Sequence, residues 1–250
     1  MPRSPHAFTQ GGPPRHGLAR VLSRQGVCSR SEAERWIRAG RVTLGGRVVR
    51  DPEHPVAAGR EDITVDGQPL VAAQRVYVML NKPRGQVVSA ADEQGRATIY
   101  DALAAAGLPW LGPVGRLDKA SEGLLLLSND TVWAAGITDP VTHCGKTYHV
   151  QIDCVPDAQL PARLCAGITE RGEHLAARTV ALLRAGEKHA WLEIVLEEGR
   201  NRHIRRLLAA HGIGVLRLVR VAIGGLVLGD LPKGQWRHLT AEEVQALRFA

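Results

Sequence analysis

Apolar residues spaced three and four positions apart predict two short helices near the start of the chain. The first run covers residues 18–25 and stops at Gly26, a residue type that commonly ends helices. The second run opens at Ser29, which forms a capping box with Glu32, and it stops at Gly40. The pattern therefore predicts a pair of adjacent helices.

After the second helix the apolar period falls to two residues, which is the period of a strand. Val42 and Leu44 precede Gly45 and Gly46, and this order predicts a β-hairpin that turns at the glycine pair. A further strand is predicted over residues 63–65. Two helices followed by short strands thus form a first predicted unit.

From residue 75 onward the pattern predicts a larger unit that mixes strands and helices. The predicted strands are 76–80, 124–127, 148–152, 176–183 and 191–196, and the predicted helices are 99–105, 202–210 with Asn201 as its cap, and a last helix capped by Thr240 and Glu243. These elements do not alternate as βαβ units do. The predicted fold class is therefore α+β.

Composition divides the chain into four segments. Residues 1–16 are rich in proline and glycine and poor in apolar side chains, so we expect a flexible leader there. The first domain is predicted over 17–66, a linker over 67–74, and the second domain over 75–250. The residue composition or the spacing of apolar residues changes at these boundaries.

The charge of the chain is unevenly distributed. Its 250 residues carry 32 Lys and Arg against 25 Asp and Glu, a formal charge of +7. The first 65 residues alone hold 11 Arg, no Lys and 6 acidic residues. A clustered basic surplus favours a polyanionic partner such as RNA, with an ordinary solvated helix face as the plain alternative.

Several classes of protein are disfavoured by what the sequence lacks. The apolar runs are strand-sized, well short of the ~18 residues that a membrane span needs. No secretory signal opens the chain, so we expect a cytoplasmic protein. The four cysteines form no C-x-x-C pair, and neither a P-loop nor a dinucleotide-binding motif occurs. We therefore expect neither a metal nor a nucleotide cofactor.

One segment places charged residues directly before a buried strand. It covers residues 115–130 and reads GRLDKASEGLLLLSND. Asp118 lies there between Arg116 and Lys119. From composition alone, an aspartate in this position is more often a turn or capping residue than a catalyst, so both interpretations stay open at this point.

This segment resembles the signature of the RsuA/RluB/RluE/RluF group of ribosomal RNA pseudouridine synthases. Further stretches agree with that family in order and spacing: LNKPRG (80–85), KTYHV (146–150) and EGRNRHIRRLL (198–208). The stretch SRSEAERWIRAGRVTLGGRVV (29–49) resembles the S4 RNA-binding domain that precedes the catalytic domain in this group. The resemblance implies a small S4-like domain followed by a catalytic domain built on a mixed, mainly antiparallel sheet with flanking helices.

The resemblance assigns three catalytic residues by position. Asp118 is the expected catalytic carboxylate, Tyr148 the expected platform on which the target base stacks, and Arg205 the expected charge partner that keeps Asp118 ionised. Turning uridine into pseudouridine gains and loses no atom, so no cofactor is implied. Whether Asp118 attacks the sugar or takes a proton from it stays open.

Basic residues near these motifs are the expected RNA contacts. In the S4-like domain they lie on the second helix and the hairpin, and in the second domain they lie close to the catalytic motifs. Arg116 is expected either to take the place of the flipped uridine in the base stack or to bind a phosphate. The full set is Lys82, Arg84, Arg116, Lys146, Arg200, Arg202, Arg206, Arg30, Arg35, Arg38, Arg41 and Arg47.

The sequence therefore predicts a monomeric, cofactor-independent pseudouridine synthase that acts on ribosomal RNA or a pre-ribosomal particle, with large-subunit RNA slightly favoured over small-subunit RNA. A non-catalytic RNA-binding assembly factor that retains the fold is the alternative, since RNA affinity survives loss of chemistry. An enzyme acting on free nucleosides is disfavoured, because it has no use for a basic first domain. His203 and Thr131 stand where Gln and Gly are usual in the family, which leaves the subgroup undecided.

Overall fold

The described part of the chain divides into two compact units. The computed structural model describes residues 15–57, 62–89, 95–104, 106–142 and 144–248. Contacts between residues place the division between Arg75 and Val76. Most of the predicted leader lies outside the described residues, but Arg15 and His16 pair with Ala57 and Val56, so order begins before residue 17.

The first unit packs two short helices against short strands. Its elements are β1 (Arg15–Gly17), α1 (Leu18–Arg24), α2 (Arg30–Arg38), β2 (Val42–Leu44), β3 (Arg47–Val48), β4 (Pro55–Ala57), β5 (Ile63–Val65) and β6 (Gln68–Pro69). β1 pairs with β4, and the other strands form a sheet of order β3-β2-β5-β6. The Ser29 side chain caps α2 by accepting a hydrogen bond from the Glu32 N–H (3.0 Å), as predicted.

The second unit contains the larger sheet. Its elements are β7 (Tyr77–Lys82), β8 (Gly112–Val114), β9 (Glu122–Ser128), α3 (Thr131–Thr138), a 3-10 turn (Pro140–Thr142), β10 (Lys146–Ile152), α4 (Leu160–Ala166), β11 (Ile168–Glu170), β12 (Glu173–Leu175), β13 (Thr179–Ala185), β14 (Ala190–Leu196), α5 (His203–Ala209), β15 (Val215–Ile223), β16 (Leu226–Val227), β17 (Trp236–His238) and α6 (Ala241–Ala246). The order of strands along the sheet is β13-β14-β10-β15-β9-β7-β17. β8 pairs with β9, and β16 pairs with β15.

The sheet is mixed but mainly antiparallel. β9 and β15 pair in parallel, with Val219 opposite Glu122 and Arg220 opposite Gly123, whereas the other strand pairs of this sheet are antiparallel. Helices flank the sheet and no regular βαβ alternation occurs. The predicted α+β class is confirmed.

β9 contains four consecutive leucines, and burial of both faces of the strand explains this continuous apolar run. Leu125 and Leu127 belong to the core that contains α4 and α5, while Leu124 and Leu126 belong to the core that contains α3 and residues from α6. In a strand that is buried on both faces, apolar residues need not alternate with polar ones along the sequence. This burial fixes the position at which the preceding loop, with Asp118, leaves the strand.

The predicted helix over 99–105 is wrong for the residues that are described. Residues 99–104 form turns, in which the Leu103 N–H bonds to the Tyr100 carbonyl (3.0 Å) three residues back. The Ile99 N–H instead bonds to the Val87 carbonyl (3.1 Å). The backbone of this segment is therefore tied to the Val87 segment at its start and forms turns after it.

The start of α5 and the presence of β15 also differ from the prediction. α5 begins at His203, and the residue before it, Arg202, has a left-handed backbone (φ 49°), so Asn201 does not cap the helix. β15 was not predicted, because Arg217 and Arg220 interrupt the alternation of apolar residues. The register of β15 against β10 shifts next to Tyr148, which brings Arg220 opposite that tyrosine.

We expect Gly123→Ala to destabilise the fold by about 3 kcal/mol or more. Gly123 has a φ of 101°, and a Cβ there would lie 2.2 Å from the Arg220 carbonyl oxygen. Gly225→Ala is the matched control, since nothing lies within 4 Å of the added methyl. Urea denaturation followed by tryptophan fluorescence measures both variants, and equal midpoints would contradict the argument from close packing.

Candidate active site

A cavity of about 470 Å³ lies where four segments of the second unit meet. The loop before β9, strand β10, the segment that leads into α5, and strand β15 form its walls. Asp118, Tyr148 and Arg205 all line it. The fold thus brings the three predicted catalytic residues, which are far apart in sequence, to one place.

Lys82, at the end of β7, holds the loop that carries Asp118. Its side chain is fully buried, and its Nζ donates hydrogen bonds to the carbonyl oxygens of Pro83 (3.0 Å), Asp118 (3.3 Å) and Ser121 (2.9 Å). Burial lowers the pKa of Lys82 to about 8, although the nearby charges of Glu122 and Asp118 oppose this shift. The prediction that Lys82 contacts RNA is therefore wrong, because the lysine is buried and positions the loop instead.

Two further donors hold the same loop. The Gly85 N–H bonds to the Lys119 carbonyl (2.8 Å), and Nη2 of Arg205 donates to the Ala120 carbonyl (3.3 Å). Gly85 has a φ of 98°, a conformation that favours glycine. The Lys-Pro-Arg-Gly turn therefore supports the Asp118 loop through its backbone.

Arg205 does not form the expected ion pair with Asp118. Its Nη1 and Nη2 donate to the carbonyl oxygens of Val215 (3.2 Å) and Ala120 (3.3 Å), and its Nε is buried without a partner among the described residues. Burial and the charge of Arg202 lower the pKa of Arg205, whereas the charge of Asp118 raises it. The two groups interact through the cavity, and backbone carbonyls take the hydrogen bonds that the ion pair would have used.

Tyr148 lies on the face of β10 that lines the cavity. It is 8% exposed and stands opposite Ile194 of β14 and Arg220 of β15. Tyr148 is thus paired with a strand on each side, and its side chain is buried in the core. A ring held in this way is the rigid surface that base stacking requires.

Arg200 and Arg206 are paired with carboxylates of the same unit. Nε of Arg206 lies 2.5 Å from Glu170, and its Nη1 lies 2.6 Å from Glu173. Arg200 lies 3.6 Å from Glu173 and 3.0 Å from Glu198. These pairs tie the β11–β12 hairpin to α5 and the segment before it. Contact of Arg200 and Arg206 with RNA phosphates stays a prediction.

Other predicted RNA contacts do lie around the cavity. Arg116 and Arg202 are exposed and line it, and Arg84 is exposed on the adjoining turn. Within the described chain none of these three forms an ion pair. Lys146 also lines the cavity but is half-buried, and burial lowers its pKa. The exposed three are placed to meet a polyanion.

Comparison with known proteins assigns the family. The model of the RNA pseudouridylate synthase family matches residues 76–210. The chain is also 35% identical over 234 residues to ribosomal large subunit pseudouridine synthase B of Bacillus subtilis, a match that covers 92% of this chain and 95% of that protein. This chain belongs to the RNA pseudouridylate synthase family.

Two further relatives and a domain match agree with this membership. An uncharacterized RNA pseudouridine synthase of Mycobacterium bovis is 37% identical over 233 residues, with 92% of each chain covered. The crystal structure of a pseudouridylate synthase aligns with a TM-score of 0.63 at 32% identity, over 93% of this chain and 99% of that one. The S4 domain model matches residues 17–62. The predicted order of an S4 domain followed by a synthase domain is confirmed.

Most arginines predicted to bind RNA in the S4 domain of the enzyme are paired with carboxylates. The pairs are Arg30 with Glu34 and Glu53, Arg35 with Glu32, Arg38 with Glu34, and Arg41 with Asp66. These arginine side chains are 44–72% exposed, and exposed ion pairs are weak enough to exchange for a phosphate. Arg47, on the β2–β3 hairpin, is exposed and has no ion pair within the described part of the domain.

Sequence reasoning missed Glu122, the first residue of β9. Its carboxylate is 2% exposed and accepts hydrogen bonds from Nε and Nη2 of Arg217 (3.1 Å each) and from Lys233. Burial raises the pKa of Glu122, but the two cations outweigh burial and leave the pKa below its usual value. Its partners are 95 and 111 residues away, so no local pattern reveals this network.

Two more buried polar residues of the cavity were not predicted as site residues. Arg220 is 4% exposed and His203 is 3% exposed. Neither ring nitrogen of His203 has a hydrogen-bond partner in the described residues, and burial lowers the pKa of this histidine. Burial therefore favours the neutral form of His203.

The described residues contain neither a metal-binding cluster nor a membrane-spanning helix. No group of three or more His, Cys, Asp and Glu side chains is placed to hold a metal ion there. No helix in these ranges is long and apolar enough to cross a membrane. The four cysteines are free, and burial raises the pKa of Cys28 to about 11.

We expect Lys82→Met to change how stability depends on pH. The folded enzyme holds Lys82 at a pKa of about 8 against an ordinary 10.5, so the unfolded chain binds more protons between these values. The wild type should therefore gain unfolding free energy relative to the variant as the pH rises from about 8 to about 10.5. Lys119→Met, on the exposed part of the same loop, is the control. Urea denaturation across this range tests the expectation, and a constant difference between wild type and Lys82→Met would refute it.

Proposed function

We propose that this enzyme converts a specific uridine of ribosomal RNA, with large-subunit RNA favoured, into pseudouridine. The observation that carries the proposal is that Asp118, Tyr148 and Arg205 line the same cavity. The chain also belongs to the RNA pseudouridylate synthase family. The name of the Bacillus subtilis relative supports the choice of large-subunit RNA, since the match extends over both domains.

Asp118 is the proposed catalytic carboxylate. It is the one Asp or Glu among the described residues that line the cavity, and it forms no ion pair in the described chain. An unpaired carboxylate is suited either to attack the sugar or to take a proton from it as the bond to the base breaks. Lys82 and Gly85 fix the backbone of its loop, so its orientation is set before the substrate arrives.

Tyr148 is the proposed surface on which the uracil rests while it is detached and turned. A uridine inside folded RNA must first leave its stack, which costs a few kcal/mol. Arg116 is exposed at the rim of the cavity and is the proposed side chain that fills the vacated stack or holds a phosphate. Arg205 supplies positive charge beside the loop that carries Asp118.

The remaining contacts follow from exposure and charge. We assign the phosphate contacts of the synthase domain to Arg84, Arg116 and Arg202, and those of the S4 domain to Arg47 first and then to the exposed pairs of Arg30, Arg35, Arg38 and Arg41. The enzyme is proposed to act as a monomer in the cytoplasm. The isomerisation leaves the atomic composition of the nucleotide unchanged, so the proposal includes no cofactor.

The decisive test is tritium release from ribosomal RNA labelled at carbon five of uridine. Asp118→Asn keeps the shape of the side chain and removes its charge, so release is expected to fall by roughly 1,000-fold or more. Asp157→Asn, an exposed aspartate paired with Arg163, is the matched control and should keep wild-type activity. Tight RNA binding by the wild type without release from either ribosomal RNA would favour the non-catalytic assembly factor.

The S4 contacts are tested by the salt dependence of RNA affinity. Arg47→Gln is expected to lower the slope of log K against log salt concentration by about one, since one phosphate contact is lost. Arg163→Gln removes an exposed arginine that is paired with Asp157 and does not line the cavity, so its slope should equal that of the wild type. Equal slopes for both variants would remove Arg47 from the RNA contacts.

A further inference from the structure

Arg220 is a buried cation for which the described residues supply no carboxylate. It is 4% exposed, its Nε donates to the Leu124 carbonyl (2.8 Å), and its Nη2 is buried and has no hydrogen-bond partner among the described residues. Arg217, on the same strand, does pair with a carboxylate, because its Nε and Nη2 both donate to Glu122. A buried charge without a counter-ion is unfavourable unless a bound group supplies the opposite charge.

The fold places this cation beside the proposed position of the base. Arg220 stands directly opposite Tyr148 in the antiparallel pair of β15 and β10, and side chains in such pairs share one face of the sheet with Cβ atoms about 5 Å apart. Both residues line the cavity together with Asp118. On its other side Arg220 pairs with Gly123, which has no side chain to come between Arg220 and β9.

A second cation adjoins Arg220 in the same cavity. Lys146 lies two residues before Tyr148, lines the cavity, and is half-buried. Burial lowers the pKa of Lys146 most, and the charge of Arg220 lowers it further. Neither of these two neighbouring cations pairs with a carboxylate in the described part of the chain. Their position beside Tyr148 favours a ligand that is negatively charged where it touches the tyrosine.

The reaction itself generates such a charge. When the bond between C1′ and N1 breaks, its electron pair goes to the uracil ring, and the negative charge is shared by N1 and the carbonyl oxygens. The sugar is stabilised either by bonding to Asp118 or by losing a proton to it. When C5 bonds to C1′, the proton on C5 leaves and N1 takes up a proton, so the atoms of the nucleotide balance.

We propose that Arg220, assisted by Lys146, is a catalytic residue that stabilises the negative charge of the detached uracil. The inference rests on the proposed function of this cavity. A phosphate is a poorer fit for Arg220, because phosphates remain at the rim of a site that holds a flipped base, where the exposed Arg116 and Arg202 lie. Donors aimed at charge that develops only during reaction act on the rate rather than on binding.

The test compares Arg220→Gln with wild type on RNA that carries either uridine or 5-fluorouridine at the target position. Fluorine withdraws electrons and stabilises the detached anion without help from the protein. With uridine, the single-turnover rate of cleavage is expected to fall roughly 100-fold or more, while the RNA Kd changes less than about twofold. With 5-fluorouridine, the loss should shrink by about tenfold or more. Chromatography of nuclease digests follows disappearance of the original nucleoside.

Control variants separate this role from a structural one. Arg184→Gln changes an exposed arginine on β13, which lies over the Trp191 ring and does not line the cavity, and it should leave both rates unchanged. Arg220→Lys keeps the positive charge and should lose less rate than Arg220→Gln. Circular dichroism melting checks that each variant folds, and if Arg220→Gln fails to fold, Arg220→Lys carries the comparison of the two substrates.

Two results would overturn the inference. Equal rate losses with uridine and 5-fluorouridine would assign Arg220 a structural or positioning role. A raised RNA Kd with an unchanged single-turnover rate would assign it to a phosphate. If the wild type itself releases no tritium from ribosomal RNA, the proposed function fails first, and that outcome is distinct from equal losses in an active enzyme.

Discussion

The parallel pairing of β9 with β15 is the constraint on which the site depends. At Gly123 the two backbones approach so closely that a methyl group would meet the Arg220 backbone. β9 is also buried on both faces, so it cannot slide to relieve a clash. The pairing of β9 with β15 therefore fixes the Asp118 loop, which ends at β9, close to Arg220. Because Arg220 pairs with Tyr148 of β10, the loop also lies close to Tyr148.

Three buried or half-buried cations in and next to the cavity bind backbone carbonyls, and none of the three pairs with a carboxylate in the described chain. Lys82 binds carbonyls of the Asp118 loop, Arg205 binds carbonyls of Ala120 and Val215, and Arg220 binds the carbonyl of Leu124. Neutral acceptors satisfy these donors without cancelling their charge. The result is a positive environment around Asp118, whose carboxylate forms no ion pair in the described chain. This environment suits both a reactive carboxylate and an anionic base.

Charge at the surface is organised in the opposite way. Arg206 and Arg200 anchor the β11–β12 hairpin through Glu170, Glu173 and Glu198, and arginines of α2 are matched with nearby carboxylates. A basic residue near a functional motif is therefore not by itself an RNA contact. The arginines that remain exposed and unpaired in the described chain, such as Arg84, Arg116 and Arg202, lie around the mouth of the cavity.

The sequence by itself determined the two helices of the first unit, the hairpin at Gly45 and Gly46, the Thr240 cap and the buried strand of leucines, because short-range spacing and capping chemistry encode such features. The family motifs also pointed to Asp118 and Tyr148, which the fold places in one cavity. Only the tertiary structure decided which cations are buried and what they bind. Lys82 and Arg205 bind backbone carbonyls, and Arg220 reaches the cavity through the pairing of β15 with β9 and β10. Glu122 binds Arg217, which is 95 residues away in the sequence. Such partners are set by sheet register and burial, which no local pattern of residues records.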